Sequence, residues 1–140
     1  VKKTVAILFF LFICVVIYLA DYHRDNAIFY YPDRFPFGDK IAHFLLFGIL
    51  ALLTNAALGF RYPGSGKGET SGGIARYGQL GSVGVLAFAL IEELSQYYLP
   101  TRTLDSGDAA ADILGVGLFT LISVAIMTRQ QRTTVEQKPV

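Results

Sequence analysis

Residues 86–115 read LAFALIEELSQYYLPTRTLDSGDAAADILG, and the rest of the chain is organised around this stretch. It opens as an apolar helix, yet Glu92, Glu93 and Gln96 arrive well before that helix can end. Pro100 stops it, Arg102 follows, and Asp105, Asp108 and Asp112 enter as another apolar run begins. Ionisable side chains inside a membrane helix are costly to desolvate and mark functional positions by default. Two adjacent acids followed by three more need a counter-cation, a ligand or a water-filled recess.

The chain has 140 residues, 53% of them hydrophobic, and a mean hydropathy of +0.46. That composition suits one small all-α membrane domain and is rare in a soluble one. A net charge of +1 without any block of like charges gives no reason to expect a nucleic-acid partner. The single cysteine, Cys14, excludes an internal disulfide and reads as a small buried hydrophobe.

Outward from the acids, four membrane helices are predicted, over about 4–20, 41–60, 80–99 and 108–127. The first follows Lys2 and Lys3, an arrangement shared with signal peptides. Tyr18 is too large for the −3 position of a cut after Ala20, and Ile13 makes a poor lipobox, so a retained helix is expected. The connection 21–40 carries Tyr30, Tyr31, Phe35 and Phe37, rings suited to headgroup depth, and His23 reads as merely exposed. Asp39 is placed as the N-cap of the second helix, with His43 four residues on and therefore on the same side. A flexible glycine-rich linker is expected over 61–79. Its Gly66-Lys67-Gly68 lacks the Gly-Lys-Ser/Thr of a phosphate-binding loop. The tail 128–140 reads as polar and frayed.

Four spans put both termini on one side, with Lys2, Lys3, Arg61, Lys67, Arg76, Arg129, Arg132 and Lys138. The other side holds only Arg24, Arg34, Lys40 and Arg102, so the termini are expected to be cytoplasmic. Asp39, His43, the Glu92–Gln96 group and the Arg102–Asp112 group then gather at the outer end. Glu92, Glu93 and Gln96 fall within one ~100° arc of their helix, while Asp108 and Asp112 face alike.

Two blocks of the chain resemble the VanZ-like family of small bacterial membrane proteins. One is Asp39-Lys40-x-x-His43-Phe44-x-x-Phe47. The other is Glu92-Glu93-x-x-Gln96, Pro100-x-Arg102 and Asp108-x-x-x-Asp112-x-x-Gly115. The resemblance covers about 39–127. Glu92 stands where that family often has Asp, and Asp112 where it often has Asn. The family is named for a protein giving low-level resistance to the glycopeptide teicoplanin, so the resemblance implies a role in envelope or antibiotic response.

Three readings of the cluster follow. The acids could pair with Lys40, His43 and Arg102 and simply tie the helices together. Asp105, in particular, reads as a helix start. A binding site would use Asp39, Lys40, His43, Glu92, Glu93, Gln96, Arg102, Asp108 and Asp112, with Arg102 meeting a phosphate or carboxylate. Tyr97 and Tyr98 would add an interfacial shelf. Its partners would be membrane lipids, a lipid-linked envelope precursor or a glycopeptide. An enzyme would draw on Glu93, His43, Asp108 and Asp112 for acid–base work, or hold a divalent cation with His43. Ser95 is a minor nucleophile candidate. No cofactor is expected beyond that cation, and no continuous proton relay is visible. Binding at an outward-facing site in the bacterial inner membrane is the favoured expectation.

Overall fold

The computed structural model describes residues 1–22, 35–65, 73–99, 102 and 104–136. Four α-helices follow one another: α1 (Lys2–Tyr22), α2 (Gly38–Ala57), α3 (Leu80–Ser95) and α4 (Ser106–Glu136). Short 3-10 turns occupy Gly73–Tyr77 and Gln96–Tyr98, and the described residues contain no strand. Three helices, α1, α2 and α4, are long and apolar enough to cross a membrane. With 16 residues, α3 reaches only ~24 Å before the 3-10 turn prolongs it. Expectations resting on His23, Tyr30, Tyr31, Gly66-Lys67-Gly68 and Pro100 lie outside the described residues.

Several helix ends differ from the sequence expectation, each for a local reason. Residue Asp39 is not the N-cap of α2. Phe37 takes that place in a left-handed conformation (φ 61°), and Asp39 sits exposed in the first turn. The helix stops at Ala57 rather than running to 60. Gly59 and Phe60 both turn left-handed, the Phe60 N–H reaches the Asn55 carbonyl at 2.7 Å, and the Gly59 N–H reaches that of Ala56 at 3.3 Å. These are the paired bonds of a Schellman stop, with glycine at the left-handed position. At the other extreme, α4 runs on to Glu136 instead of fraying after Met127. Arg129, Gln130, Gln131 and Arg132 are polar but strong helix formers, so propensity carries the helix past the end of its apolar run. The expected linker likewise contains ordered backbone at Gly73–Tyr77.

Helix α1 is apolar all round, yet only Ala6, Ile13 and Ala20 are buried. Their seven-residue spacing makes a narrow seam, and Ile7, Leu8, Leu11 and Val15 stay exposed on its flanks. That distribution suits a helix facing lipid on most of its circumference. By contrast α2 packs against all three other helices. Its crossing with α4 depends on Gly115, because a Cβ there would meet the Phe44 backbone at 2.9 Å. Close backbone approach through small residues is the usual solution where lipid supplies no hydrophobic drive between helices. The buried apolar layer consists of Ile13, Phe47, Leu50, Ala51, Val85, Ala89 and Val116. Asp112, Val116 and Thr120 follow at four-residue steps on α4, so polar groups lie on both sides of this layer.

Candidate functional site

The site begins at the N-terminus of α4. Asp105 Oδ1 accepts the Gly107 N–H at 2.7 Å, and the Asp105 carbonyl accepts the Asp108 N–H at 3.0 Å. Asp105 is thus the N-cap of α4, as its spacing to Asp108 suggested. It does more than cap. Its Oδ2 accepts from Lys40 Nζ at 2.7 Å, and its own N–H donates to Glu93 Oε1 at 2.7 Å. One residue outside the expected site therefore joins α2, α3 and α4.

Lys40 is a hub of cationic charge. Besides Asp105, its ammonium donates to Asp39 Oδ2 and Asp108 Oδ1, each at 3.1 Å. The Lys40 ammonium and the Gly107 N–H together hold the Asp105 carboxyl below the usual carboxylate range. Deeper in, Gln96 Nε2 donates to both Glu92 Oε1 and Glu93 Oε2 at 3.1 Å. This places the amide between two buried carboxylates that would otherwise repel. Across the bundle, His43 Nδ1 lies 3.1 Å from Oδ1 of Asp112, which is fully buried. The His43 ring continues into Phe47 (5.8 Å between centroids) and Phe47 into Phe88 (6.0 Å), an aromatic floor beneath the polar groups. Arg102 closes the cluster on its α1 side, with Nε 3.6 Å from Asp21 Oδ1.

The nine residues expected from the sequence therefore lie at one end of the bundle, joined by two residues outside that set, Asp21 and Asp105. Asp21 belongs to the site although it was read only as the start of a connection. Its position at the C-terminal end of the first apolar run was the available signal. Asp105 was set aside as a helix start, and it is both a cap and a bridge. Arg102 stands beside a carboxylate, and among the described residues its buried Nε has no hydrogen-bond partner. Ser95 is exposed, its hydroxyl donating to the Glu92 carbonyl at 2.6 Å, so it is no nucleophile of this cluster. Among the described residues, His43 is not in a group of ligands close enough to hold a metal. Among the described residues, the acids gathered closely enough for a metal are Asp39, Asp105 and Asp108, within 4.8 Å of one another. Lys40 Nζ already sits against all three, and its ammonium takes the place a metal ion would need. Tyr97 and Tyr98, 76% and 82% exposed, lie on the 3-10 turn that begins with Gln96.

Two features define what the site can do. Among the described residues, seven carboxylates (Asp21, Asp39, Glu92, Glu93, Asp105, Asp108 and Asp112) gather with the side chains of Lys40, His43 and Arg102, so acid outnumbers base there. Among the described residues, Glu92 Oε2 and Asp112 Oδ2 are buried oxygens with no hydrogen-bond partner, and Arg102 Nε is a buried donor without one. A buried acceptor left unmatched costs about 1–3 kcal/mol, and more when charged. Both oxygens call for donors.

A second polar group, also missed, lies beyond the apolar layer. Asn55 Nδ2 donates to Ser82 Oγ at 2.7 Å, the Ser82 N–H donates to Asn55 Oδ1 at 3.0 Å, and the Ser82 and Thr120 hydroxyls are 2.6 Å apart. Nearby on the same helices, Ser123 Oγ donates to Gln79 Oε1 at 2.6 Å. Compared with protein-family models, with curated proteins and with solved structures, the chain matches none.

Proposed function

We propose that this is a VanZ-like protein of the bacterial inner membrane, crossing it four times with both termini in the cytoplasm. Its outward-facing acidic site would bind the polar head of a membrane-surface amphiphile. The excess of lysine and arginine on the terminal side supports the orientation. In this reading helix α3 with its following 3-10 turn, Leu80 to Tyr98, would be the shortest span.

The observation that carries the binding reading is the pair of unmatched buried oxygens on Glu92 and Asp112. Together with the acid excess, they favour a donor-rich head such as an amine or a cluster of hydroxyls. A bare phosphate fits less well, since carboxylates surround the site and Lys40 is held by three aspartates. An aminated lipid head, an envelope precursor and a glycopeptide such as teicoplanin all have this chemistry. The role would then lie in envelope or antibiotic response. Binding of teicoplanin, and of amine-bearing and amine-acetylated lipids, to purified protein tests this. Wild type should retain the free amines, and Glu93→Gln and Arg102→Lys should fold yet lose them. Equal binding of the acetylated lipid overturns the donor requirement. If the variants fail only by unfolding, the cluster is a helix tie.

The His43–Asp112 pair favours one alternative, a membrane-embedded hydrolase or transferase acting on such a head group. A buried carboxylate orients the imidazole and supports its protonated form. In that case His43→Gln abolishes turnover while leaving binding intact.

A further inference from the structure

At the end of the bundle remote from the acids, Arg76, Arg129 and Arg132 line a pocket of about 370 Å³. Arg132 lies 24 residues along α4 from Asp108, ~36 Å at helical rise. The pocket's other wall is apolar, formed by Leu121, Val124 and Ala125 one to two turns back along the helix. Leu121 is 54% exposed, so this wall is continuous with the outer surface of a helix long and apolar enough to cross a membrane. Cationic groups thus sit where α4 changes from apolar to polar, which is the depth of a headgroup layer.

The cations are also free to act. Arg76 lies on the 3-10 turn packed against α4. Its Nε donates to the Gly73 carbonyl at 3.1 Å, and its guanidinium lies 5.6 Å over the Tyr77 ring. That fixes the side chain and leaves its two Nη groups available. Among the described residues, no carboxylate is within ion-pair range of Arg76, Arg129 or Arg132. Three guanidinium groups in one pocket, without an ion-pair partner among the described residues, repel one another, and an anion relieves that repulsion. Guanidinium forks suit the paired oxygens of a phosphate.

We propose that this pocket holds the phosphodiester head of an anionic phospholipid, with an acyl chain lying along Leu121, Val124 and Ala125. A soluble phosphate would use the guanidinium groups and leave the apolar wall uncovered; a lipid uses both. Basic pockets beside transmembrane helices recognise lipid heads in this way. The assignment rests on α4 entering the bilayer and is independent of what the acid site binds.

Native mass spectrometry of the full chain in detergent, titrated with phosphatidylglycerol or phosphatidylcholine, tests it. Wild type should retain phosphatidylglycerol at least about tenfold better, and Arg76→Gln or Arg132→Gln should each weaken that retention about fivefold. Arg129→Gln, at an exposed position, repeats the test without touching the 3-10 turn. Arg61→Gln removes an exposed arginine of the same end that does not line the pocket, and should change nothing. Equal retention of the two lipids overturns the proposal, as does an equal loss in Arg61→Gln. Displacement of the lipid by glycerol 3-phosphate at matched concentration would overturn it in favour of a soluble-phosphate site.

Discussion

His43 on α2 and Asp112 on α4 stand 3.1 Å apart because the two backbones cross at Phe44 and Gly115, their near neighbours. Backbone contact and polar contact are therefore one structural event. Substituting the glycine should disturb the His43–Asp112 contact without altering any ionisable residue.

Gly115→Ala drives a methyl group into the Phe44 backbone, and overpacking of this kind costs about 1–3 kcal/mol. Gly117→Ala, two residues on, meets nothing within 4 Å and should be neutral or slightly stabilising. Unfolding in mixed micelles compares the two variants. Equal stabilities would mean that the α2–α4 crossing is looser than described.

Asp112→Ala leaves an imidazole facing a void in place of its carboxylate partner. Breaking a buried pair from one side costs about 3–5 kcal/mol, whereas neutral interhelical contacts in membranes average about 0.6 kcal/mol. Asp112→Ala should therefore destabilise several times more than Ser82→Ala. A double-mutant cycle with His43→Ala should show strong coupling, and additive losses would rule it out.

Lys40→Ala removes the ammonium from among Asp39, Asp105 and Asp108 and leaves three carboxylates together. The variant should be less stable and should regain stability in millimolar calcium, while wild type is indifferent to calcium or chelator. Thermal unfolding with each additive reads this. A wild-type response to calcium would show that Lys40 does not block the position.

Asp105 supplies an acid-side dependence. Its carboxyl titrates below its unfolded value of about 3.9, so its stabilising contribution is full above that value. The contribution fades as pH falls through the lower folded-state pKa. Asp105→Asn keeps a capping oxygen for the Gly107 N–H but loses the charge facing Lys40. Wild type should consequently show a steeper loss of stability below about pH 4 than Asp105→Asn. Parallel acid limbs would contradict the assignment.

Much of the acidic cluster was legible because its residues violate the pattern around them. Glu92, Glu93 and Gln96 interrupt an apolar run, and helical spacing alone puts them on one face. What was hidden has specific causes. Asp21 joins the cluster through helix packing that no local spacing encodes. Asp105 looked sufficient as a cap, and a cap has further oxygen and backbone groups to spend on neighbours. Asn55, Ser82 and Thr120 are single small polar residues in three separate helices, and each alone is unremarkable. The extent of α4 was misjudged because hydropathy marks where lipid ends, whereas backbone propensity decides where a helix ends.

The three-residue seam of α1 divides that helix into interchangeable and fixed positions. In a saturation library, Ile7, Leu8, Leu11 and Val15 should accept almost any lipophilic side chain, because bilayer tails adapt to whatever shape is offered. Ala6, Ile13, Ala20 and Asp21 should not. A helix of 21 residues would thus carry its structural identity at four of them.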